Sequence, residues 1–181
     1  MKGLWGCLGN KRVISDYDAT AAIYDERYEV EQRTKIGFLT SRLRPGRGSL
    51  VIDVGCGTGI LLEGLKGGPH CVGLDPSIGM LREAKRKGCA ADVVLADAMH
   101  LPIRSGVADY VFSVSVLQLL DEPPAGAKEM IRILKSGGWV GVSALLKSFT
   151  GEGLKAHFGI EDCEAYESET MKDAFIIAQK R

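Results

Sequence analysis

The sequence lacks the cysteine spacing of a disulfide-rich or zinc-binding protein. Its five cysteines are Cys7, Cys56, Cys71, Cys89 and Cys163, and no two of them form a C-x-x-C pair. Such pairs mark zinc knuckles and redox motifs. We therefore expect reduced thiols, no metal site and a cytoplasmic location.

The sequence also lacks an excess of charge of either sign and any long apolar run. Lys plus Arg and Asp plus Glu number 23 each, so the net charge does not favour nucleic acid or anionic lipid as a partner. No stretch approaches the roughly 20 apolar residues of a membrane span, and the start lacks the apolar segment of a signal peptide. The 181 residues, 45% of them hydrophobic, suffice for one domain spanning residues 1–181.

What the sequence does contain, after residue 50, is a regular alternation of short apolar runs and helix-like segments. The runs at 50–54, 71–75, 92–97, 109–116 and 139–145 predict buried strands. Continuous apolar strands favour a parallel sheet that is covered on both faces. The alternation therefore predicts a doubly wound α/β fold with a mostly parallel sheet and helices on both faces.

Two segments between these runs predict crossover helices. Ser77 can cap the first of them, which stops at Gly88. Pro123 begins the second, whose apolar spacing reaches Leu134 before the glycines at 137–138. Both helices are the connections that a parallel sheet requires.

The domain divides into three segments. Residues 14–45 predict an N-terminal helical cover over the sheet, because apolar residues there recur at helical spacing before RPGRG breaks the chain. Residues 50–145 form the predicted binding core. Residues 146–181 predict a C-terminal helix followed by two strands, CEAYES and DAFIIAQKR.

Three alternating glycines end the first predicted strand, in the segment VIDVGCGTG: Gly55, Gly57 and Gly59. Such a loop lets a ligand approach the backbone amides and the start of the next helix. The dinucleotide fingerprint requires a third small residue, where Ile60 and Leu62 stand instead, and the P-loop lysine is missing. The loop therefore suits a nucleoside without a pyrophosphate.

Acidic residues end the next two predicted strands. Asp75 lies 20 residues beyond Gly55, and Asp97 ends the third strand. Because the carboxyl ends of parallel strands meet at one edge, both carboxylates should lie beside the glycine loop. A carboxylate at Asp75 can accept both ribose hydroxyls at once, although capping of the next helix is an alternative role. This edge predicts a nucleoside site.

At these positions the sequence resembles the class I S-adenosylmethionine-dependent methyltransferases, in particular the group with the ubiquinone and menaquinone biosynthesis methyltransferases. The similar segments, between Tyr17 and Leu145, are YDATAAIYD, VIDVGCGTG, GLDPSIGMLREA, ADAMHLPIRSGVADYVFS and RILKSGGWVGVS. Ser136 stands where proline is usual. The resemblance implies a seven-stranded Rossmann-like methyltransferase fold, with S-adenosyl-L-methionine as cofactor and S-adenosyl-L-homocysteine as product.

The resemblance also implies which residues bind the cofactor. The glycine loop would hold the methionine portion with Asp53 orienting the loop, Asp75 the ribose, Met80 the adenine face and Asp97 the adenine amino group. Ser113, after the fourth strand, would line the methionine end, although core packing for Met80 and satisfaction of a strand terminus by Ser113 are alternatives. The complete predicted set is Asp53, Gly55, Cys56, Gly57, Gly59, Asp75, Pro76, Met80, Asp97, Ala98 and Ser113.

The sequence lacks the histidines that many relatives carry after the fourth strand. Gln118 and Leu119 stand there, and neither can take a proton. A sulfonium methyl is already activated, so aligning the acceptor and excluding water can suffice. The catalytic residue stays open at this point. The candidate substrate-contacting residues are Tyr17, Tyr24, Tyr28, His100 and Gln118.

These features predict a methyltransferase that acts on a small molecule by direct displacement. An RNA or protein methyltransferase that needs a partner is the first alternative, with a small zinc-ribbon activator subunit pairing along the edge of the third strand. A non-catalytic S-adenosylmethionine-binding module is the second. A nicotinamide oxidoreductase is disfavoured by Ile60 and Leu62.

Overall fold

A seven-stranded sheet organises the part of the chain that the computed structural model describes, residues 11–88 and 91–181. Cys7 and Cys89 lie outside these residues. The strands are β1 (Leu50–Val54), β2 (His70–Asp75), β3 (Asp92–Leu95), β4 (Ala108–Val114), β5 (Leu134–Leu145), β6 (Cys163–Ser168) and β7 (Asp173–Gln179).

The strand order is β3-β2-β1-β4-β5-β7-β6. Strands β1 to β5 pair in parallel, and β7 pairs antiparallel with both β5 and β6. The predicted doubly wound fold is confirmed. Because β1 lies between β2 and β4, the direction of winding reverses beside β1, and such a reversal opens a ligand crevice at the carboxyl ends of the strands.

Six helices accompany these strands in the described residues. They are α1 (Lys11–Thr20), α2 (Tyr24–Leu43), α3 (Ile60–Gly64), α4 (Ile78–Arg86), α5 (Pro123–Ile133) and α6 (Gly151–Ala156). The predicted cap of α4 is confirmed, since the Ser77 hydroxyl accepts from the Met80 amide at 3.1 Å. None of the helices in 11–88 and 91–181 is both long and apolar enough to cross a membrane.

Alternation along the strands builds a core on each face of the sheet. Val51 and Phe112 pack with Leu39 of α2 on one face, whereas Ile52 packs with Met130 of α5 on the other. All five side chains are at most 1% exposed. Burial of an apolar side chain of this size contributes about 1.5–3 kcal/mol, so α2 is fixed firmly over β1 and β4.

Strand β3 differs from its predicted form. It was expected to be buried, but it is the edge strand of the sheet, and Val94 and Leu95 are 38% and 47% exposed. It also ends at Leu95 and not at Asp97, which instead forms an isolated bridge with His100. An apolar run cannot distinguish a central strand from an edge strand, because the pairing depends on distant segments.

Two other predicted boundaries move. Strand β4 ends at Val114 and not at 116, because Ser115 takes a left-handed conformation with φ of 59°. Helix α5 ends at Ile133, and the next residue, Leu134, already pairs with Ala108, so β5 begins five residues earlier than predicted.

Candidate functional site

A cleft lies at the carboxyl ends of β1 to β4, where the winding reverses. We call it the switch-point cleft. It encloses about 810 Å³, including the solvent at its mouth. The strand ends line it with the pairs 54–55, 74–75, 96–97 and 114–115.

The glycine loop supplies bare backbone at the bottom of this cleft. Gly55 has φ of 78°, and a Cβ placed on it would lie 2.2 Å from Cγ2 of Val116. The amides of Gly55 and Cys56 donate to the Leu74 carbonyl at 2.7 and 3.0 Å. The loop is therefore tied to β2, in a conformation that only glycine adopts at position 55 without strain.

Asp75 is buried beside the loop and holds two backbone amides. Its Oδ2 accepts from the Gly57 amide and its Oδ1 from the Ser77 amide, both at 2.8 Å. The contact with Ser77 is the helix-end role that the sequence left open as an alternative. Burial raises the pKa of Asp75 to about 6, although the two amides act to lower it. The carboxylate faces the cleft and keeps further lone pairs for hydroxyl donors.

Asp97 presents a buried acceptor atom to the same cleft. Its Oδ1 accepts from the Met99 amide at 2.9 Å, whereas its Oδ2 accepts no hydrogen bond from the described residues. His100 Nδ1 lies 3.7 Å from Oδ2. An unpaired buried acceptor is costly, and a ligand amino group would satisfy it. Met80 and Ala98 provide the apolar wall beside it.

Asp53 lies behind the glycine loop. It lines a smaller cavity with Cys56, Thr58 and Gln32. Burial and, to a lesser extent, the charge of Asp75 together raise the pKa of Asp53 to about 8.

Stability is expected to respond to pH through Asp53. The folded chain holds this proton up to about pH 8, whereas an unfolded aspartate releases it near 3.8. Between these values the folded state binds more protons, so raising the pH destabilises it. The Asp53→Asn variant cannot lose a proton, and its melting temperature should rise relative to wild type by about 10 °C between pH 5 and pH 8.5. Thermal unfolding monitored by circular dichroism across this pH range measures the difference.

Asp109→Asn is the matched control for that experiment. A hydrogen bond from Lys135 lowers the pKa of Asp109, so the pKa shift is opposite in direction to that of Asp53. Relative to wild type, Asp109→Asn should therefore gain no stability as the pH rises. If the melting-temperature difference between Asp53→Asn and wild type stays constant with pH, the raised pKa of Asp53 is contradicted.

The segment YDATAAIYD, residues 17–25, covers the switch-point cleft, and its tyrosines and aspartates have different roles. We call it the leader. Tyr17 and Tyr24 line the cleft. Asp18 instead accepts from the Ser77 hydroxyl and, at 2.8 Å, from the Gly79 amide. Asp25 accepts from the Thr58 hydroxyl and forms an ion pair with Lys87. The aspartates hold the cover on the core, and the tyrosines face the ligand space.

A second, open cleft adjoins the first beyond the tyrosines. We call it the outer cleft. It encloses about 1250 Å³ with its solvent, and Tyr28 and Gln118 line it. Four residues line both clefts and so form the junction between them: Tyr17, Tyr24, Ser115 and Leu119.

Gln118 offers an acceptor to the outer cleft. Its Nε2 donates to the Ser115 carbonyl at 2.8 Å, which fixes the side chain. Its Oε1 is buried without a hydrogen-bond partner among the residues described. A ligand with an O–H or N–H group can satisfy this atom.

A buried lysine lies beneath the outer cleft. Lys35 of α2 has 1% of its side chain exposed, and its Nζ lies 2.9 Å from Asp173 Oδ1 and 2.6 Å from Glu31 Oε1. Nζ also donates to the Ser115 hydroxyl at 3.1 Å. The ion pair therefore connects α2, the start of β7 and the junction.

The predicted site residues are distributed over the two clefts and the smaller cavity behind the glycine loop. Seven of the predicted cofactor residues line the switch-point cleft: Gly55, Gly57, Asp75, Pro76, Met80, Asp97 and Ala98. Asp53 and Cys56 line the smaller cavity behind the loop. Gly59 lines neither and caps α3 with φ of 81°. Tyr17, Tyr24, Tyr28 and Gln118 line the outer cleft.

Ser113 and His100 require correction. Ser113 lies within β4, fully buried, and its hydroxyl donates to the Val54 carbonyl at 2.9 Å, as the structural alternative predicted. Ser115, two residues later, lines the switch-point cleft at the end of β4. His100 is largely exposed and lines neither cleft, because the turn after β3 directs it outward.

Sequence reasoning missed Val13, Ile14, Ser115 and Lys35, which line the clefts. Lys35 carried a usable signal, because it lies four residues before the buried Leu39 on the same helix face. A charge on a buried helix face must be paired, and the pairing with Asp173 follows from the fold.

Known proteins are similar to this chain over most of its length. Residues 52–142 match the family model described as Methyltransferase domain. Malonyl-[acyl-carrier protein] O-methyltransferase of Marinomonas sp. is 31% identical, over 92% of this chain and 63% of that protein. Demethylmenaquinone methyltransferase of Corynebacterium urealyticum is 34% identical, over 56% of this chain and 44% of that protein. The chain thus spans less than two thirds of the length of these relatives.

The fold has close structural counterparts. A methyltransferase solved in complex with the Trm112 methyltransferase activator of Haloferax volcanii superposes with a TM-score of 0.78. The two chains share 18% identity, and the match covers 91% of this chain and 97% of that one. This likeness concerns the fold alone.

Proposed function

Since the chain belongs to the class I S-adenosyl-L-methionine-dependent methyltransferase family, we propose that it transfers a methyl group to a small-molecule acceptor by direct displacement. The observation that carries this proposal is the junction, at which four residues line both the switch-point cleft and the outer cleft. Two clefts that meet at a few side chains bring two ligands into contact there. We also propose that residues 1–181 act as one domain, with the cover at 14–45, the core at 50–145 and the tail at 146–181.

The residues of the switch-point cleft fit this cofactor. Asp75 can accept from the ribose hydroxyls while it holds the glycine loop. The unpaired Oδ2 of Asp97 matches the adenine amino group, and Met80 provides an apolar surface for the ring. Dinucleotide-binding loops need a small residue at the position of Ile60 or Leu62 so that the next helix can pack closely on the strand. Both side chains are too large for this.

The chain's own groups position the reaction and keep water out. The cofactor supplies a methyl group on a positively charged sulfur. Val13, Ile14 and the two leader tyrosines cover the cleft, which excludes water from the reacting atoms. Gln118 Oε1 can accept a hydrogen bond from the acceptor and thereby orient it.

A labelling experiment tests the acceptor class. The wild-type chain is incubated with methyl-labelled S-adenosylmethionine and a cell extract separated into small molecules, RNA and protein. We expect label in the small-molecule fraction, and we expect none with the Asp75→Ala control. Label only in RNA or protein would contradict the small-molecule proposal, and no label in any fraction would favour a non-catalytic binding module.

A partner-dependent RNA or protein methyltransferase is the second candidate, and the edge strand favours it. The exposed Val94 and Leu95 lie on β3, where a partner strand could pair. A small zinc-ribbon activator is the partner we propose for this edge. Transfer to RNA or protein that requires the activator, and that is lost on Val94→Lys, would support this candidate.

A further inference from the structure

The junction carries three hydroxyl groups, and within 11–88 and 91–181 only that of Ser115 has a hydrogen bond to a carboxylate. Burial raises the pKa of both Tyr17 and Tyr24. Their phenols therefore stay protonated near neutral pH and can donate hydrogen bonds but cannot act as bases. The third hydroxyl is that of Ser115.

Ser115 is held at the junction by its backbone. It has φ of 59°, a conformation that costs an L-residue energy, and its amide donates to the Ser143 carbonyl at 2.9 Å. Its hydroxyl accepts from Lys35 Nζ at 3.1 Å and donates to Asp173 Oδ2 at 3.4 Å. The second bond is long, and catalytic hydrogen bonds in unliganded sites often are.

Two carboxylates and one ammonium group lie next to the Ser115 hydroxyl. Glu31 and Asp173 are two acids that share one lysine, Lys35. In their ordinary ionised forms the three groups sum to one negative charge. Asp173 is fully buried, so a proton that arrives there neutralises the cluster without exposing it to water.

We propose that Ser115 is a catalytic residue that relays a proton from the acceptor to Asp173, with Asp173 and Lys35 as positioning residues. This proposal rests on the proposed methyl transfer. The acceptor O–H or N–H bond breaks, its proton goes to Ser115 Oγ, and the Ser115 hydroxyl proton goes to Asp173 Oδ2. The electron pair left on the acceptor atom forms the bond to the methyl carbon, and sulfur keeps the pair of the broken carbon–sulfur bond.

Other charged and titratable groups line the outer cleft, and the acids among them, Glu31 and Asp16, compete with the relay as bases. Glu31 of α2 lines the outer cleft with half of its side chain exposed. Arg27 of α2 and Lys147 after β5 line the same cleft and are cations. Glu31 does not line the junction, so it can reach the acceptor only from the outer side. Comparing Glu31→Gln with Ser115→Gly therefore distinguishes Glu31 from the relay as the base.

The test compares Ser115→Gly with wild type, because the glycine variant loses the hydroxymethyl side chain and adopts the left-handed conformation without strain. Melting temperature and the affinity for S-adenosylhomocysteine should stay within about 2 °C and about twofold of wild type. Methyl transfer to the small-molecule fraction of the extract should fall by about 100-fold near pH 6. The deficit should shrink towards about pH 9, because the acceptor then ionises without help. Ser143→Ala, a buried serine outside both clefts, is the matched control.

The outcomes separate the relay from the proposed function. Transfer by Ser115→Gly at the wild-type rate would overturn the relay, as would a deficit that does not change with pH. Loss on Glu31→Gln but not on Ser115→Gly would assign the base to Glu31 and overturn it as well. Asp173→Asn, if it folds, should reproduce the Ser115→Gly profile. Absence of transfer by the wild-type chain would contradict the proposed function itself, and the relay with it.

Discussion

Replacing Asp75 with alanine is expected to weaken the binding of S-adenosylhomocysteine by about 100-fold, because the variant cannot make the two charge-assisted hydrogen bonds that we propose between Asp75 and the ribose. The change also removes the acceptor of the Gly57 and Ser77 amides. The glycine loop then loses one of its ties to the end of β2, whereas the hydrogen bonds to the Leu74 carbonyl remain. Isothermal titration calorimetry near pH 8 measures this loss, since Asp75 is ionised above its pKa of about 6.

Asp75→Asn and Asp92→Ala are the controls for this effect. Asparagine keeps one acceptor oxygen, so its affinity should fall between wild type and alanine. Asp92 is an exposed acid at the start of β3, at the end of the strand away from the cleft. Its removal should leave the affinity within about twofold of wild type. In wild type the affinity should also fall as the pH drops through about 6, because protonated Asp75 must lose its proton to accept both hydroxyls. Unchanged affinity in Asp75→Ala would remove the assignment of Asp75 to the ribose.

Replacing Lys35 with methionine is expected to lower the free energy of unfolding by about 3 kcal/mol, because it leaves the fully buried Asp173 without its cation. Glu31 is half exposed and can turn to water, so Asp173 carries most of the cost. Urea unfolding monitored by fluorescence measures the change at neutral pH.

The double variant Lys35→Met with Asp173→Leu removes both buried charges, and it should recover at least half of the lost stability. Arg33→Met is the matched control on the same helix. The ion pairs of Arg33 with Glu29 and Glu63 are nearly half exposed, so their loss should cost less than about 1 kcal/mol. Equal losses for Lys35→Met and Arg33→Met would show that the buried pair has no special weight.

The fold could be predicted because its signals are local. Apolar runs that alternate with capped amphipathic segments indicate strands and crossover helices wherever they lie in the chain. The glycine loop, Asp75 and Asp97 could be placed together for the same reason, because the carboxyl ends of parallel strands meet at one edge. These residues do line one cleft.

The features that sequence reasoning missed depend on distant pairings or on single backbone torsions. Ser115 was overlooked in favour of Ser113 because the end of β4 is set by one left-handed residue, which no apolar pattern reveals. The Lys35–Asp173 pair joins α2 to β7 across most of the chain. The exposure of Val94 follows from the edge position of β3, which depends on the order of all the strands.

The most direct test of the cofactor site is a calorimetric titration of the wild-type chain with S-adenosylhomocysteine and, separately, with NADH. A site that holds a nucleoside without a pyrophosphate should bind S-adenosylhomocysteine with a Kd at least about tenfold lower than that for NADH. Binding of NADH as tight as that of S-adenosylhomocysteine would contradict the assignment of the switch-point cleft to the methyl donor.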